Sequence, residues 1–338
     1  MKTILRLAVL AFAGTAVLAF AGNALATQKL SVRQTTTSLT IKASQAQTDA
    51  QPARISIYVP AGYTINASAT PGTKIGSTSG TVFSRDANIP LPLSGDVVAV
   101  PPTTNAPGCD PVPHIAVWNL ALAVAGQNIN LPVHVDQLTG AEAALGSYKL
   151  VVCLAPDDVP VGTPGRSPNG ARLLDATFTV DNVFTVPAGQ SIWKAITTPY
   201  VAGIGAPNVA GTVETRAFVA NGAITLAKKV NAKARLVKFT GKVTQAGAAV
   251  AAARVVLLVN GKSVGGFTAR ANASGNYSLV LKKRGKKTTS TFQARTTVAE
   301  RDITATGCAS PTPGVPGGCV SATASPFTAV SARIRIRL

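Results

Sequence analysis

Apolar and polar residues alternate along much of this chain, and that period constrains its fold more than any other feature. In "LLDATFTVD", Leu174, Ala176, Phe178 and Val180 fall on one face, and Asp175, Thr177, Thr179 and Asp181 on the other. A period of two is the signature of a half-buried strand. "SLTIKAS" and "ARISIYVP" read the same way, with β-branched residues set between turn formers. One stretch, "TGAEAALG", suggests a helical turn, with Thr139 and Glu142 at capping-box spacing and Gly146 as its stop. With 46% hydrophobic and 13% charged residues the chain is too apolar to be disordered. The expected class is therefore all-β, with tandem sandwiches built from short strands and Gly/Pro/Asn turns.

The C-terminal third is the most legible. "RVVLLVNGKSVGGF" reads as two strands around Asn260-Gly261, a pair suited to the positive φ values of a type I′ turn. Val255, Leu257 and Val259 share one face and Val256 and Leu258 the other, so this strand is expected inside its sheet. "ASGNYSLVLKK" follows as a turn and a strand with Tyr277, Leu279 and Leu281 inward, and "TFQART" is expected to pair with it. Between them lies "KKRGKK", with Lys282, Lys283, Arg284, Lys286 and Lys287 around Gly285. On that pairing it is a basic hairpin tip.

The segment "FTGKVTQAGAAVAAARVVLLVNGKSVGGFTARANASGNYSLVL" resembles bacterial immunoglobulin-like and carboxypeptidase-regulatory-like (transthyretin-like) domains. The likeness lies in Gly241–Val243, Gly247, Ala253–Val255 and the Ser274–Ser278 turn and strand. It spans roughly 228–298. It implies an immunoglobulin-like β-sandwich serving as spacer, adhesive module or accessory in an exported protein, and it implies no particular activity. Residues 27–209 share only a general likeness to uncharacterised exported bacterial proteins.

The N-terminus reads as a cleaved signal peptide. Lys2 and Arg6 precede the apolar run 7–20, and "NALA" puts small residues before a cut between Ala26 and Thr27. No second long apolar run follows, so no membrane span is expected after removal. The chain then divides near "YVAGIGAPNVAG" (200–211) into a β-rich part, 27–209, and a basic sandwich, 210–338. A further split near 101–113 is left open by the Pro-rich run there. The charge is segregated in the same way. Residues 27–209 hold ten Lys/Arg and ten Asp/Glu, whereas 210–338 hold twenty Lys/Arg against Glu214, Glu300 and Asp302. Four cysteines in an exported chain suggest disulfides, with Cys109–Cys153 and Cys308–Cys319 the favoured pairing. A four-cysteine zinc site lacks the paired C-x-x-C spacing it needs.

Candidates for chemistry are sparse, and no cofactor is implied. "GKSVG" matches a nucleophile elbow around Ser263, but an Asn-Gly turn precedes it and no helix follows. His134 and Asp136 are two apart and thus on one strand face, where they suit a base or metal pair or simply an edge His beside a carboxylate. Asp157 and Asp158 suggest a calcium ligand pair or, better, an exposed loop. Trp118 and Trp193 are expected in the core rather than on a sugar-stacking platform. With few aromatics near the basic third, sequence-specific nucleic-acid recognition is not expected. Two readings remain. One is a non-enzymatic, exported structural or adhesive protein whose basic face, including Arg333, Arg335 and Arg337, meets an anionic wall polymer or polysaccharide. The other is an exported hydrolase or carbohydrate-binding protein with His114, His134, Asp136, Asp157, Asp158 and Trp118 at a site in 106–209.

Overall fold

A computed structural model describes residues 27–104, 109–111, 113–187, 189–282, 288–304 and 319–337. It is an all-β protein with several sheets. The first part of the chain runs through β1 (Lys29–Gln34), β2 (Ser38–Ser44), β3 (Pro52–Val59), β4 (Thr64–Ile65), β5 (Lys74–Ser84), β6 (Ile89–Val100) and β7 (Ala116–Val124). It continues through β8 (Gln127–Gln137), β9 (Tyr148–Cys153), β10 (Ala171–Asp181), β11 (Phe184–Thr185), β12 (Ser191–Pro199) and β13 (Val213–Val219). β4 and β11 form a two-stranded ribbon. The others make one antiparallel sheet in the order β1-β2-β10-β5-β6-β7-β8-β9-β3-β12-β13.

This sheet curls until β1 lies against β12 and β13. One core fills the curl, with Leu30, Ile41, Val97, Val133, Leu150 and both tryptophans in a single cluster. Trp118 and Trp193 are core anchors, as expected. Trp193 donates its indole N–H to the Tyr63 hydroxyl at 3.2 Å, and Phe184 meets both indoles edge-on. β6 and β7 flank the division left open at 101–113, yet they are hydrogen-bonded neighbours in this sheet. β13, beyond the boundary expected at 200–211, belongs to it as well.

The second part begins with β14 (Gly222–Ile224), β15 (Ala227–Asn231), β16 (Leu236–Gln245), β17 (Ala248–Ala249), β18 (Arg254–Val259), β19 (Lys262–Arg270), β20 (Asn276–Lys282) and β21 (Thr289–Val298). β22 (Arg301–Ile303) and β23 (Cys319–Ala324) then leave it and extend the first sheet, β23 pairing in parallel with β13. The chain returns as β24 (Phe327–Val330) and β25 (Ile334–Arg337). Two sheets face each other. One centres on β16, flanked by β14, β15, β17 and β20. The other has the order β19-β18-β21-β24, with β25 also on β21. Val237, Phe239, Tyr277 and Leu279 from one meet Val255, Leu257, Phe292 and Ala294 from the other in a separate core.

Local expectations met three different outcomes here. Asn260 and Gly261 have φ of 50° and 79°, as a type I′ turn requires, and β18 lies inside its sheet. In β10 the alternation holds at Phe178 and Val180, but a register shift between Leu173 and Asp175 breaks it at Leu174. The pairing expected for β20 is corrected. β20 pairs with β16, and β21 pairs with β18, β24 and β25. Both strands have one apolar face, and they bury those faces against each other across the sandwich instead of sharing a ladder. The strands on either side of the basic stretch thus belong to different sheets and are not the two arms of one hairpin. Residues 283–287 themselves lie outside the described residues, as do residues 1–26 and Cys308.

Candidate functional sites

The first candidate cluster lies on the outer face of β3, β8 and β9. Alternation puts Arg54 and Tyr58 of β3, His134 and Asp136 of β8, and Lys149 and Cys153 of β9 on this one face, through the cross-strand pairs Arg54 with Cys153, Tyr58 with Lys149, and Asp136 with Lys149. The segment carrying Cys109, Asp110 and His114 crosses over them and is fastened by the Cys109–Cys153 disulfide. The sequence separation is 44, so the loop-entropy model assigns this bridge about 4 kcal/mol. Cys319 is disulfide-bonded too.

The expected His134–Asp136 pair is corrected here. Asp136 binds His114 Nδ1 at 2.6 Å, and the two imidazoles stack at 4.3 Å. His134 is 0% exposed, with its Nδ1 3.7 Å from Cys109 Sγ. Lys149 Nζ lies among Asp110 at 3.6 Å, Asp136 at 3.9 Å and Glu142 at 3.5 Å, and Arg54 reaches Asp110 at 3.3 Å. Burial lowers the His134 pKa, and the neighbouring His114 lowers it further. Burial raises that of Asp136 against the opposing pull of the His114 hydrogen bond. The Tyr58 hydroxyl is pushed up to about 12, first by burial and then by Glu142. The helical turn expected after Thr139 is present as a 3-10 helix, Gly140–Ala144, but the capping box is not: Thr139 makes no side-chain cap, and the Glu142 carboxylate is turned to Tyr58 and Lys149.

Asp157 and Asp158 do not join this cluster. Asp157 is 0% exposed and accepts from Arg85 at 2.8 Å and Arg172 at 2.7 Å, which corrects its expected place in an exposed loop. Asp158 accepts the Gly203 backbone N–H at 2.9 Å. Trp118 is buried in the core. The residues expected at a site in 106–209 are therefore spread over two buried ionic clusters and the core. Among the described residues no group of three or more His, Cys, Asp and Glu is arranged to hold a metal ion.

The basic candidates are arranged differently. On the outer face of the β16 sheet, Lys229 and Lys238 are direct cross-strand partners, with Lys242 further along β16 and Lys282 opposite Leu236. On the outer face of the β18 sheet, Arg254 and Arg270 are direct partners. Arg295 is opposite Val256, and Arg335 and Arg337 are opposite Thr291 and Thr289. All these cations are exposed. Lys282 on one side and Arg335 and Arg337 on the other, expected on one face, thus lie on opposite faces of the sandwich. Residues 220–299 hold fifteen Lys/Arg and no Asp or Glu, so these faces have no carboxylate of their own to pair with. Of the three acids flanking that stretch, Glu214, Glu300 and Asp302, Glu214 pairs with Arg216 at 2.5 Å and Asp302 with Lys29. Sequence alone showed the charge count. The division into a lysine face and an arginine face needed the strand register.

A comparison with known protein families finds no family model that matches this chain, and a search of curated proteins finds no match. Among the described residues no helix is long and apolar enough to cross a membrane.

Proposed function

We propose that this is an exported, non-enzymatic structural or adhesive protein whose C-terminal, immunoglobulin-like sandwich contacts anionic polymers of a cell wall or extracellular matrix. The observation that carries the reading is the carboxylate-free sandwich with cations on both outer faces. Like charges placed directly across a strand pair destabilise a sheet, and a net charge of one sign opposes compaction. A domain that keeps such an arrangement is suited to a partner that supplies the missing anions. The buried disulfide in the first sheet accords with an oxidising compartment.

The test is retention of the mature chain, residues 27–338, on an immobilised carboxylated polysaccharide at about 50 mM and about 500 mM salt. Each neutralised anion adds to the salt dependence of a polyelectrolyte contact, so strong retention at low salt and release at high salt are expected. Absence of retention at low salt would remove the reading.

A further inference from the structure

The two basic faces are not equivalent. β19 carries a large irregularity: Thr268 is opposite Val256, yet Ser263 is already opposite Leu258. The intervening residues swing out from the edge of the sheet through Gly266, whose φ of 80° a larger side chain would resist. The result is an open recess of about 460 Å³ lined by Arg254, Arg295, Ser263, Gly265, Thr268 and Thr297, with Val256 also in its wall. Two guanidinium groups and three hydroxyl side chains thus share one hollow, while the lysine face is a regular ladder. Among the described residues no carboxylate pairs with Arg254 or Arg295. Arg270 stands across from Arg254 and donates to the Ala252 carbonyl at 3.4 Å, which leaves most of its fork free.

Resting on the reading above, we propose that this recess is the binding site, and that its ligand is an acidic polysaccharide whose carboxylate groups seat on Arg254 and Arg295. A guanidinium presents a planar fork that takes a carboxylate in two parallel hydrogen bonds, whereas an ammonium acts as a point charge. Ser263, Thr268 and Thr297 are donors and acceptors of the kind that sugar hydroxyls need. No aromatic ring lines the recess. Single-stranded nucleic acid would find no stacking platform there, and this favours the sugar polymer.

The experiment sets charge-matched variants of the two faces against each other. Arg254→Gln/Arg295→Gln and Lys229→Gln/Lys238→Gln each remove two positive charges. Gly265→Glu places a carboxylate in the recess, at a position where an added Cβ meets nothing within 4 Å. Thr240→Glu adds the same charge to the exposed lysine face. The probes are polygalacturonate oligomers, neutral dextran and duplex DNA, with thermal unfolding recorded for every variant. The expected result is a loss of polygalacturonate affinity of about tenfold or more for the arginine pair and for Gly265→Glu, since one good charge-assisted pair corresponds to roughly that factor. The lysine-face variants should lose less than about threefold, and dextran should not bind. Equal losses on both faces would overturn the recess while leaving polymer binding intact. No binding by the unaltered protein would instead sink the functional reading itself. Tighter binding of duplex DNA, lost in the arginine pair, would overturn the polysaccharide as ligand.

Discussion

At the scale of single residues, the polar cluster under the Cys109–Cys153 bridge has the character of a structural clasp that titrates. His134 is neutral in the fold because burial penalises its charged form, whereas in the unfolded chain it takes a proton below pH 6.5 or so. Its contribution is full above that pH and is lost as pH falls through the lowered folded value. Asp136 has the opposite sign. Its folded pKa is raised, so its contribution is present below the unfolded value and is lost as pH rises through the folded one. Two outcomes are expected in urea unfolding across pH. His134→Leu should flatten the loss of stability between pH 7 and pH 5, and a slope equal to that of the unaltered protein would count against the assignment. Asp136→Asn should cost less at pH 8 than at pH 4, because the buried charge it removes exists only at the higher pH.

Of this cluster, the sequence showed the shared face of His134 and Asp136 and the Cys109–Cys153 bridge, and no more. Its members come from positions as far apart as Arg54 and Lys149, and nothing local encodes that Cys109 pulls Asp110 and His114 across the sheet. The adjacent Asp157 and Asp158 had every local mark of a solvated loop. The environment of Asp157 was decided by Arg85 and Arg172, and Asp158 found the Gly203 N–H, each partner more than ten residues away.

At the scale of elements, reliable inferences came where a short motif determines its own geometry. The Asn260–Gly261 turn is one. Its side-chain carbonyl also accepts the Thr291 N–H at 2.9 Å, which ties the turn to the next strand of the sheet. Asn260→Ala should therefore cost about 1–2 kcal/mol, from the left-handed backbone and the lost hydrogen bond together. A cost near zero in chemical denaturation would mean that the turn relaxes to another type. Core positions behave similarly: Trp193→Ala should lose about 3–5 kcal/mol, the range for deleting a large buried aromatic. Strand partnership was less legible. β20 and β21 are neighbours in the chain and each has one apolar face, a pattern that serves a hairpin and a sheet-to-sheet crossover equally well. The strand partners separate the two, β20 pairing with β16 and β21 with β18, and Phe239 of β16 packs on Phe292 of β21 with ring centroids 5.0 Å apart.

At the scale of the whole molecule, charge and topology are distributed independently. The first sheet is electrically balanced over residues 27–209, and the carboxylate-free sandwich is not. Raising salt from about 0.01 M to about 0.5 M shortens the screening length from roughly 30 Å to well under 10 Å. Self-repulsion within the sandwich should fall accordingly. The melting temperature is expected to rise over that range, and a fall would show that the cations are already compensated within the chain. The charge boundary suggested a clean partition near residue 210. The strand map shows instead that β13 completes the first sheet and that β22 and β23 come back to it.

That return has a consequence for any attempt to dissect the protein. A cut after Val219 leaves the fragment downstream holding two strands that belong upstream. A cut after Val298 strips β22 and β23 from one unit and β24 and β25 from the other. A cut after Ala324 keeps the first sheet whole but takes the last two strands from the sandwich. The two units are interleaved like stitches in one thread, so neither can be gained, lost or exchanged by a single break in the chain.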